Sequence, residues 1–401
     1  MDLTSGNPLW PALDGLPHTY TPLEHDTSAD VVVIGGGITG ALVADALVKA
    51  GVDTIVLDKR DVGRGSTCAS TALLQYELDV PLTELRERRG STHANRAYRA
   101  TRRAIDDIAA LVATLPDPVG FRRRQSLYLV SRERDVEVHR REFAARRQIG
   151  LDVAWLERND LQRCFGIDRP AAILSEDAAE VNAFALAHAL LAGAAARGLR
   201  VFTRTQVERV DAKAAGVAIH LSEGRIVSAR HVVFATGYET REFVGVGPAR
   251  LVSTFAIASA PGAVPLPWRE SGALIWERAD PYLYLRTTPD DRVIIGGEDE
   301  DFRDPAHRDA LIPAKTECLT KRYRELFPDA SIDVTHAWTG TFGETDDGLP
   351  YIGAHPDWPS CSFALGYGGN GIVFSMLAAE LVRDATLGRV NPLAELFRFG
   401  R

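Results

Sequence analysis

The stretch Asp30–Gly40, DVVVIGGGITG, opens the part of the chain whose pattern is least ambiguous. Asp30 to Ile34 is a short apolar run, as expected of a strand buried on both faces, and it stops at Gly35, Gly36 and Gly37. From Ile38 the apolar positions Leu42, Val43, Ala46 and Leu47 recur at helical spacing until Gly51. Asp53–Leu57, DTIVL, reads as a second strand and completes a βαβ unit. Inside it lies Gly35-x-Gly37-x-x-Gly40, with Asp58 at the end of the second strand, eighteen residues past Gly40. Glycines there permit a tight turn and a close backbone approach, and the helix N-terminus offers N–H donors and a positive dipole to a pyrophosphate. Asp58 is placed to accept from ribose hydroxyls. These features predict a bound dinucleotide without separating FAD from NAD.

Bulk composition narrows the partners. With 401 residues and 45% hydrophobic content, the chain can bury a full core and has the length of two domains. Its 54 acidic and 46 basic side chains leave a formal charge of −8, which argues against a nucleic acid or an anionic membrane as general partner. Cys68, Cys164, Cys318 and Cys361 lie far apart with no CxxC pair, so neither a metal site nor a disulfide framework is expected. The first residues show no basic start followed by an apolar run, and no apolar stretch of about 18 residues occurs. A cytoplasmic protein without an integral membrane segment is expected, as a monomer or homodimer.

Along the chain, residues 1–28 read as an irregular arm. Residues 83–114 read as long helical material, 121–130 as a strand, 133–148 and 159–164 as helices, and 183–197 as an Ala/Leu-rich helix. Strands follow at VFTRTQVERVD, AGVAIHLS and HVVFATG, and again between about 250 and 298. A glycine-rich loop and a helix from about Ile372 to Leu387 close the pattern. The order predicts an α/β fold: a Rossmann-like nucleotide-binding domain with a parallel sheet, assembled from 1–86, 171–250 and 337–401. The stretches 87–170 and 251–336 form an inserted α+β domain with a large mixed or antiparallel sheet.

Four further segments carry a resemblance. GRGSTCAST from Gly63, HVVFATG from His231, WTGTFGETDDGLPYIG from Trp338 and GYGGNGI from Gly366, taken with the βαβ motif, resemble the D-amino-acid oxidase superfamily. That superfamily includes glycine oxidase, sarcosine oxidase and gamma-glutamylputrescine oxidase-like enzymes. The resemblance spans nearly the whole chain and implies FAD as the dinucleotide. It implies pyrophosphate contacts from Gly35, Gly37, Ile38, Thr39 and Gly40, and adenosine contacts from Asp58, Lys59 and the Val207 backbone. Ser66 and Thr67 are implied along the ribityl and phosphate side, with Thr236, Gly237 and Gly343 also at the cofactor. Gly368, Gly369, Asn370, Gly371 and Ile372 are implied against the isoalloxazine. Glycines at that loop let backbone donors approach a ring that becomes anionic when reduced.

The substrate end departs from these relatives. The arginine that holds a substrate carboxylate in glycine oxidase-like members aligns with Phe342. The arginine and lysine of sarcosine oxidase-like members align with Gln75 and Val373. None of these side chains replaces a guanidinium or an ammonium. Tyr282, Tyr284 and Arg286 recur at period two in PYLYLRTT, and Tyr284 aligns with a tyrosine of the relatives' pocket. Pocket residues are therefore expected at Tyr284, Arg286, Phe342, Gln75 and Tyr367, with Arg286 holding an anionic part of the substrate or else forming a structural ion pair. No cysteine occupies Thr339–Thr345, where sarcosine oxidase-like members attach their flavin, so the FAD is expected to be non-covalent.

The resemblance implies an FAD-dependent amine or amino-acid oxidase or dehydrogenase. Hydride passes to flavin N5 from the carbon beside nitrogen, and the resulting imine hydrolyses. Such chemistry asks the protein chiefly to desolvate and orient a neutral amine. Oxygen or another electron acceptor is left open. Alternatives are a flavoprotein dehydrogenase acting on a hydroxy acid or other non-amine, a non-catalytic FAD-binding protein, and a nicotinamide-dependent dehydrogenase.

Overall fold

The computed structural model describes residues 2–240, 250–279 and 281–401. The βαβ unit forms as its pattern predicts. Strand Thr27–Ile34 pairs in parallel with Thr54–Leu57 on one side and with Ile226–Phe234 on the other. Arg200–Phe202 extends the sheet beyond Thr54–Leu57, and Trp358–Leu365 continues it beyond Ile226–Phe234 with Tyr351–His355 antiparallel at its edge. Val207–Lys213 and Gly216–Leu221 complete an eight-stranded sheet. Both faces of the central strand are covered: Val31 and Val33 join one apolar cluster, Val32 and Ile34 another. This is why its sequence is continuously apolar rather than alternating. Helices Ile38–Lys49, Ala183–Ala195 and Gly371–Thr386 supply the first of those clusters.

A ten-stranded sheet faces the other side of the molecule's central cavity. Its order runs Thr4–Gly6, Val334–Glu344, Arg250–Ser259, Val293–Asp301, Leu283–Thr287, Leu274–Glu277, Arg122–Val130, Ala171–Glu180 and Leu73–Gln75, with Val153–Glu157 also paired to Ala171–Glu180. Pairing is antiparallel except between Leu274–Glu277 and Arg122–Val130. Strands Leu73–Gln75, Ala171–Glu180 and most of Val334–Glu344 therefore belong to this sheet, across the boundaries expected at 86, 170 and 336. Apolar alternation marks a strand but not its partner, so the sequence pattern carried no information about that assignment.

Two local expectations change. The arm is not irregular: Thr4–Gly6 pairs with Trp338–Gly340, and helix Leu9–Asp14 buries Leu9 and Trp10 against Phe184 and Trp338. The material at 83–114 is two helices, Leu82–Arg89 and Ser91–Val112, divided at Gly90, whose φ of +81° ends the first.

The helix Ile38–Lys49 is seated by one contact. A Cβ on Gly40 would stand 1.8 Å from the Gly35 carbonyl oxygen, a backbone atom that cannot swing away. Gly40→Ala is therefore expected to lower the unfolding free energy by about 2–3 kcal/mol through forced displacement of the helix, read as a shifted denaturant midpoint. An unchanged midpoint would mean that the helix start is looser than this contact requires.

Candidate active site

A cavity of about 670 Å³ runs from the βαβ turn to the face of the ten-stranded sheet. At its first end the lining comes from Gly35, Gly37, Ile38, Thr39, Asp58, Lys59, Ser66, Thr67, Val207, Thr236 and Gly237. The turn organises these segments directly. Asp58 Oδ2 accepts from the Gly36 N–H at 2.6 Å and Oδ1 from the Arg60 N–H at 2.7 Å, which leaves further lone pairs on each oxygen. Burial pushes the Asp58 carboxyl above its ordinary range, while these two N–H donors pull it down. Thr67 Oγ1 accepts from the Ile38 N–H at 2.9 Å, satisfying one of the donors that a helix start leaves open. Ser66 Oγ is buried in this cradle and has no partner among the described residues. Lys59 lines the cavity with its ammonium 2.9 Å from Glu239.

At the other end, Gly366–Ile372 lies against the cavity together with Gln75, Tyr282, Tyr284 and Phe342. The loop is fastened from the 75–79 segment: Asn370 Nδ2 donates to the Gln75 and Glu77 carbonyls at 3.2 and 2.8 Å, and the Gly369 N–H donates to Asp79 Oδ2 at 2.8 Å. Gln75 donates in turn to Ser126 Oγ at 2.9 Å. Burial pushes the Tyr284 phenol up to about 12, so its hydroxyl stays protonated.

Three expected residues fall elsewhere. Gly40 does not line the cavity; its role is the close helix-to-strand approach described above. Gly343 is buried opposite Leu251, off the cavity face that its neighbours Phe342 and Glu344 share, as period two requires. Arg286 is corrected most sharply, because its guanidinium is spent on the protein. Nη1 donates to the Thr71, Ala72 and Val181 carbonyls at 2.9–3.0 Å, Nε donates to the Thr287 carbonyl at 3.1 Å and stands 3.5 Å from Glu180. Of its two expected roles, the structural ion pair is the one present.

Several lining residues carry no motif. Thr205 and Gln206 precede Val207 at the first end. Asp79, Asp299 and Glu344 bring carboxylates to the second, with Arg88, Arg250 and Arg278. Each arginine has an acidic partner: Arg88 and Arg278 pair with Glu84, and Arg250 pairs with Asp301 and lies 3.8 Å from Glu344. Burial, followed by the neighbouring Asp79 and Glu344 charges, pushes Asp299 up to about 7.

The sequence profile of the FAD dependent oxidoreductase family matches residues 30–385. The chain belongs to this family. It is an FAD-dependent oxidoreductase, and FAD is its cofactor. Glycine oxidase of Bacillus licheniformis is 28% identical over 376 residues, covering 91% of this chain and 94% of the relative. Among solved structures, glycine oxidase from Geobacillus kaustophilus superposes with a TM-score of 0.78 at 22% identity, over 93% of this chain and 99% of that one. L-proline dehydrogenase from P. horikoshii gives 0.77 at 17% identity, over 93% and 97%. These two share the fold. No described helix is long and apolar enough to cross a membrane.

The residues of this oxidoreductase suit the cofactor. The glycine turn and helix start provide backbone donors for a pyrophosphate, the orphaned Ser66 hydroxyl is open to a polar partner, and Asp58 retains acceptor capacity. Cys68 lies outside the cavity, packed with Leu9, Trp10 and Trp338, and donates to the Gly65 carbonyl at 3.1 Å. Burial pushes its thiol up, away from the thiolate that attachment would need.

Two variants test this geometry. Arg286→Met removes one partner of a buried charge pair and four donor bonds, and should lower the unfolding free energy by about 3–5 kcal/mol. A fully stable variant with weakened substrate binding would restore the binding role. For Asp299, the folded value near 7 exceeds the ordinary 3.8, so the stability this group contributes is complete below pH 3.8 and falls as pH rises toward 7. Asp299→Asn should therefore stabilise the FAD-loaded protein by roughly 2–4 kcal/mol at pH 8 and progressively less toward pH 4. A pH-independent difference in denaturant midpoint would contradict this.

Proposed function

We propose that this oxidoreductase oxidises a C–N bond of a small amine or amino-acid-like substrate and holds its FAD without a covalent bond. The observation that carries the reading is the chemistry of the pocket end. Phe342, which the resemblance aligns with a carboxylate-holding arginine, lines the cavity, Arg286 is fastened to backbone carbonyls, and carboxylates line the wall. Any substrate carboxylate, of a hydroxy acid or of an amino acid, would need a cation, whereas a nitrogen centre finds oxygen acceptors here, which favours the amine end of the proposed class.

When bound, FAD supplies the two-electron oxidation, accepting hydride from the carbon next to nitrogen. What the chain itself contributes is placement. Asn370 and the Gly369 N–H lock the Gly366–Ile372 loop, and the helix that follows directs its positive end toward the same region. Tyr284 and Phe342 present ring surface to the pocket, and an apolar surround favours the neutral amine whose lone pair the reaction requires. Gln75, tied to Ser126, keeps the wall between Tyr284 and the loop fixed.

The test is the visible spectrum of the purified protein under anaerobic conditions. Amines, N-methyl amino acids, D-amino acids and gamma-glutamyl polyamines are compared with alcohols and hydroxy acids of matched size. At least one nitrogen compound is expected to bleach the flavin band while its oxygen counterparts leave it intact. Bleaching by the hydroxy acids alone would overturn the reading, and an intact band with every compound would favour a binding protein.

A further inference from the structure

The strand Val293–Asp301 breaks its own alternation at the cavity. Val293 and Ile295 pack into the core that contains Leu319 and Tyr323 of helix Ile312–Leu326. Gly296 lies on the opposite face, where an added Cβ would come within 2.3 Å of the Tyr284 ring. Strict period two would put Glu298 on the Tyr284 face and Asp299 toward the helix. The reverse occurs. The register against Arg250–Ser259 shifts between Ser253 and Phe255, Gly297 takes φ +132° and Glu298 takes φ +57°. Glu298 consequently meets Arg322 at 3.1 Å and Lys315 at 3.8 Å on the helix side, and Asp299 lines the cavity. Re-aiming a side chain is what a β-bulge does, and a non-glycine residue in this region of φ is uncommon.

Asp299 arrives without a cation. Its Oδ1 is buried and has no hydrogen-bond partner, and neither Asp299 nor Asp79 forms an ion pair among the described residues. The cations around them each pair with another acid: Arg278 with Glu84 at 2.8 Å, Lys315 with Glu300 at 2.7 Å, and Arg250 with Asp301. Burial outweighs the downward pull of Arg278 on the Asp79 carboxyl, and that of a Thr254 hydrogen bond and Lys315 on the Asp299 carboxyl. Glu344 adds a third carboxylate to the same wall, 3.8 Å from Arg250. Anionic groups gathered in a desolvated pocket repel one another until a positive charge enters.

We propose that the cavity takes an amine bearing a second positive charge, a diamine or longer polyamine, whose distal ammonium is held by Asp299 with Asp79 and Glu344. The inference rests on the C–N reading above and specifies its substrate class. It also accounts for the loss of the clamp: Phe342 offers the methylene chain of such a substrate an apolar wall, where an arginine would repel it. The weakened acidity of the buried Asp299 carboxyl fits as well, since a bound cation draws that carboxyl back toward its ionised form.

The experiment uses the FAD-loaded protein and three probes, diaminobutane, n-butylamine and glycine, with two readouts. Anaerobic flavin reduction by rapid mixing reports turnover, and calorimetric titration reports binding independently of it. Diaminobutane is expected to bind and to reduce the flavin at least about tenfold better than n-butylamine, with glycine poorer still, and Asp299→Asn should abolish that advantage. The Asp79→Asn variant, whose carboxylate also anchors the Gly369 N–H, serves as a second reading should Asp299→Asn fail to fold. Equal affinity for diaminobutane and n-butylamine, or a preference for glycine, overturns the dication site while any flavin reduction keeps the C–N reading. Selective diamine binding lost in Asp299→Asn, with no flavin reduction by any amine, upholds the dication site and removes the C–N reading.

Discussion

No side chain can stand between the Gly35 carbonyl and the Gly40 Cα, and much of the cofactor side follows from that contact. The helix starts at the cavity lining, where its first N–H groups have no intrahelical acceptor and that of Ile38 is taken by Thr67. Other segments then assemble on the turn by hydrogen bonds: Asp58 on the Gly36 N–H, Thr67 on the Ile38 N–H, and the Gly63 N–H on the Gly36 carbonyl at 3.1 Å. The phosphate cradle is thus three stretches of chain organised by one turn. Its donors are fixed in place before any ligand arrives, so binding does not have to order them.

The pocket side depends on a different anchor. Arg286 joins strand Leu283–Thr287 to the Thr71–Ala72 segment and to Val181, just ahead of helix Ala183–Ala195. Its charge is balanced by Glu180, a carboxylate that also meets Arg122 and Arg124. Deeply buried ion pairs add little net stability compared with apolar packing, but they tolerate few alternative arrangements. The bridge ties the strand of Tyr284 to the segment leading into Gln75, and both residues line the cavity. The guanidinium of Arg286 is thus used within the protein, joining these segments behind the cavity.

The parts of the site legible in the sequence were those where backbone geometry dictates residue type. A turn that needs Gly35 and Gly37, a helix seated by Gly40, and a glycine loop at 366–371 leave a mark because few other residues are tolerated. The Asp30–Ile34 strand was legible for a related reason, since burial on both faces demands a continuous apolar run. Sheet membership of Leu73–Gln75 and Ala171–Glu180 left no such mark, because the same alternation serves either sheet. Arg286 shows the limit of period two: it shares a face with Tyr284, yet a long side chain can reach past a cavity to the backbone behind it.

The carboxylates of the pocket were illegible for a sharper reason. Asp79 sits in a segment with no motif, and Asp299 reaches the cavity only because the chain gains a residue relative to its partner strand. A one-residue bulge inverts every face assignment beyond it, so EDED at 298–301 reads from sequence as an exposed acidic edge. Fold and cofactor are written here in motifs that backbone geometry dictates, whereas the charge of the substrate end is set by local backbone register. In this chain both changes point the same way: Phe342, which the resemblance aligns with a clamp arginine, is apolar, and the bulge delivers Asp299, with Oδ1 unpartnered, to the same sheet wall. Either alone would weaken a preference for carboxylates; together they favour a cation, because Asp299 and Asp79 form no ion pair among the described residues and Glu344 shares Arg250 with Asp301.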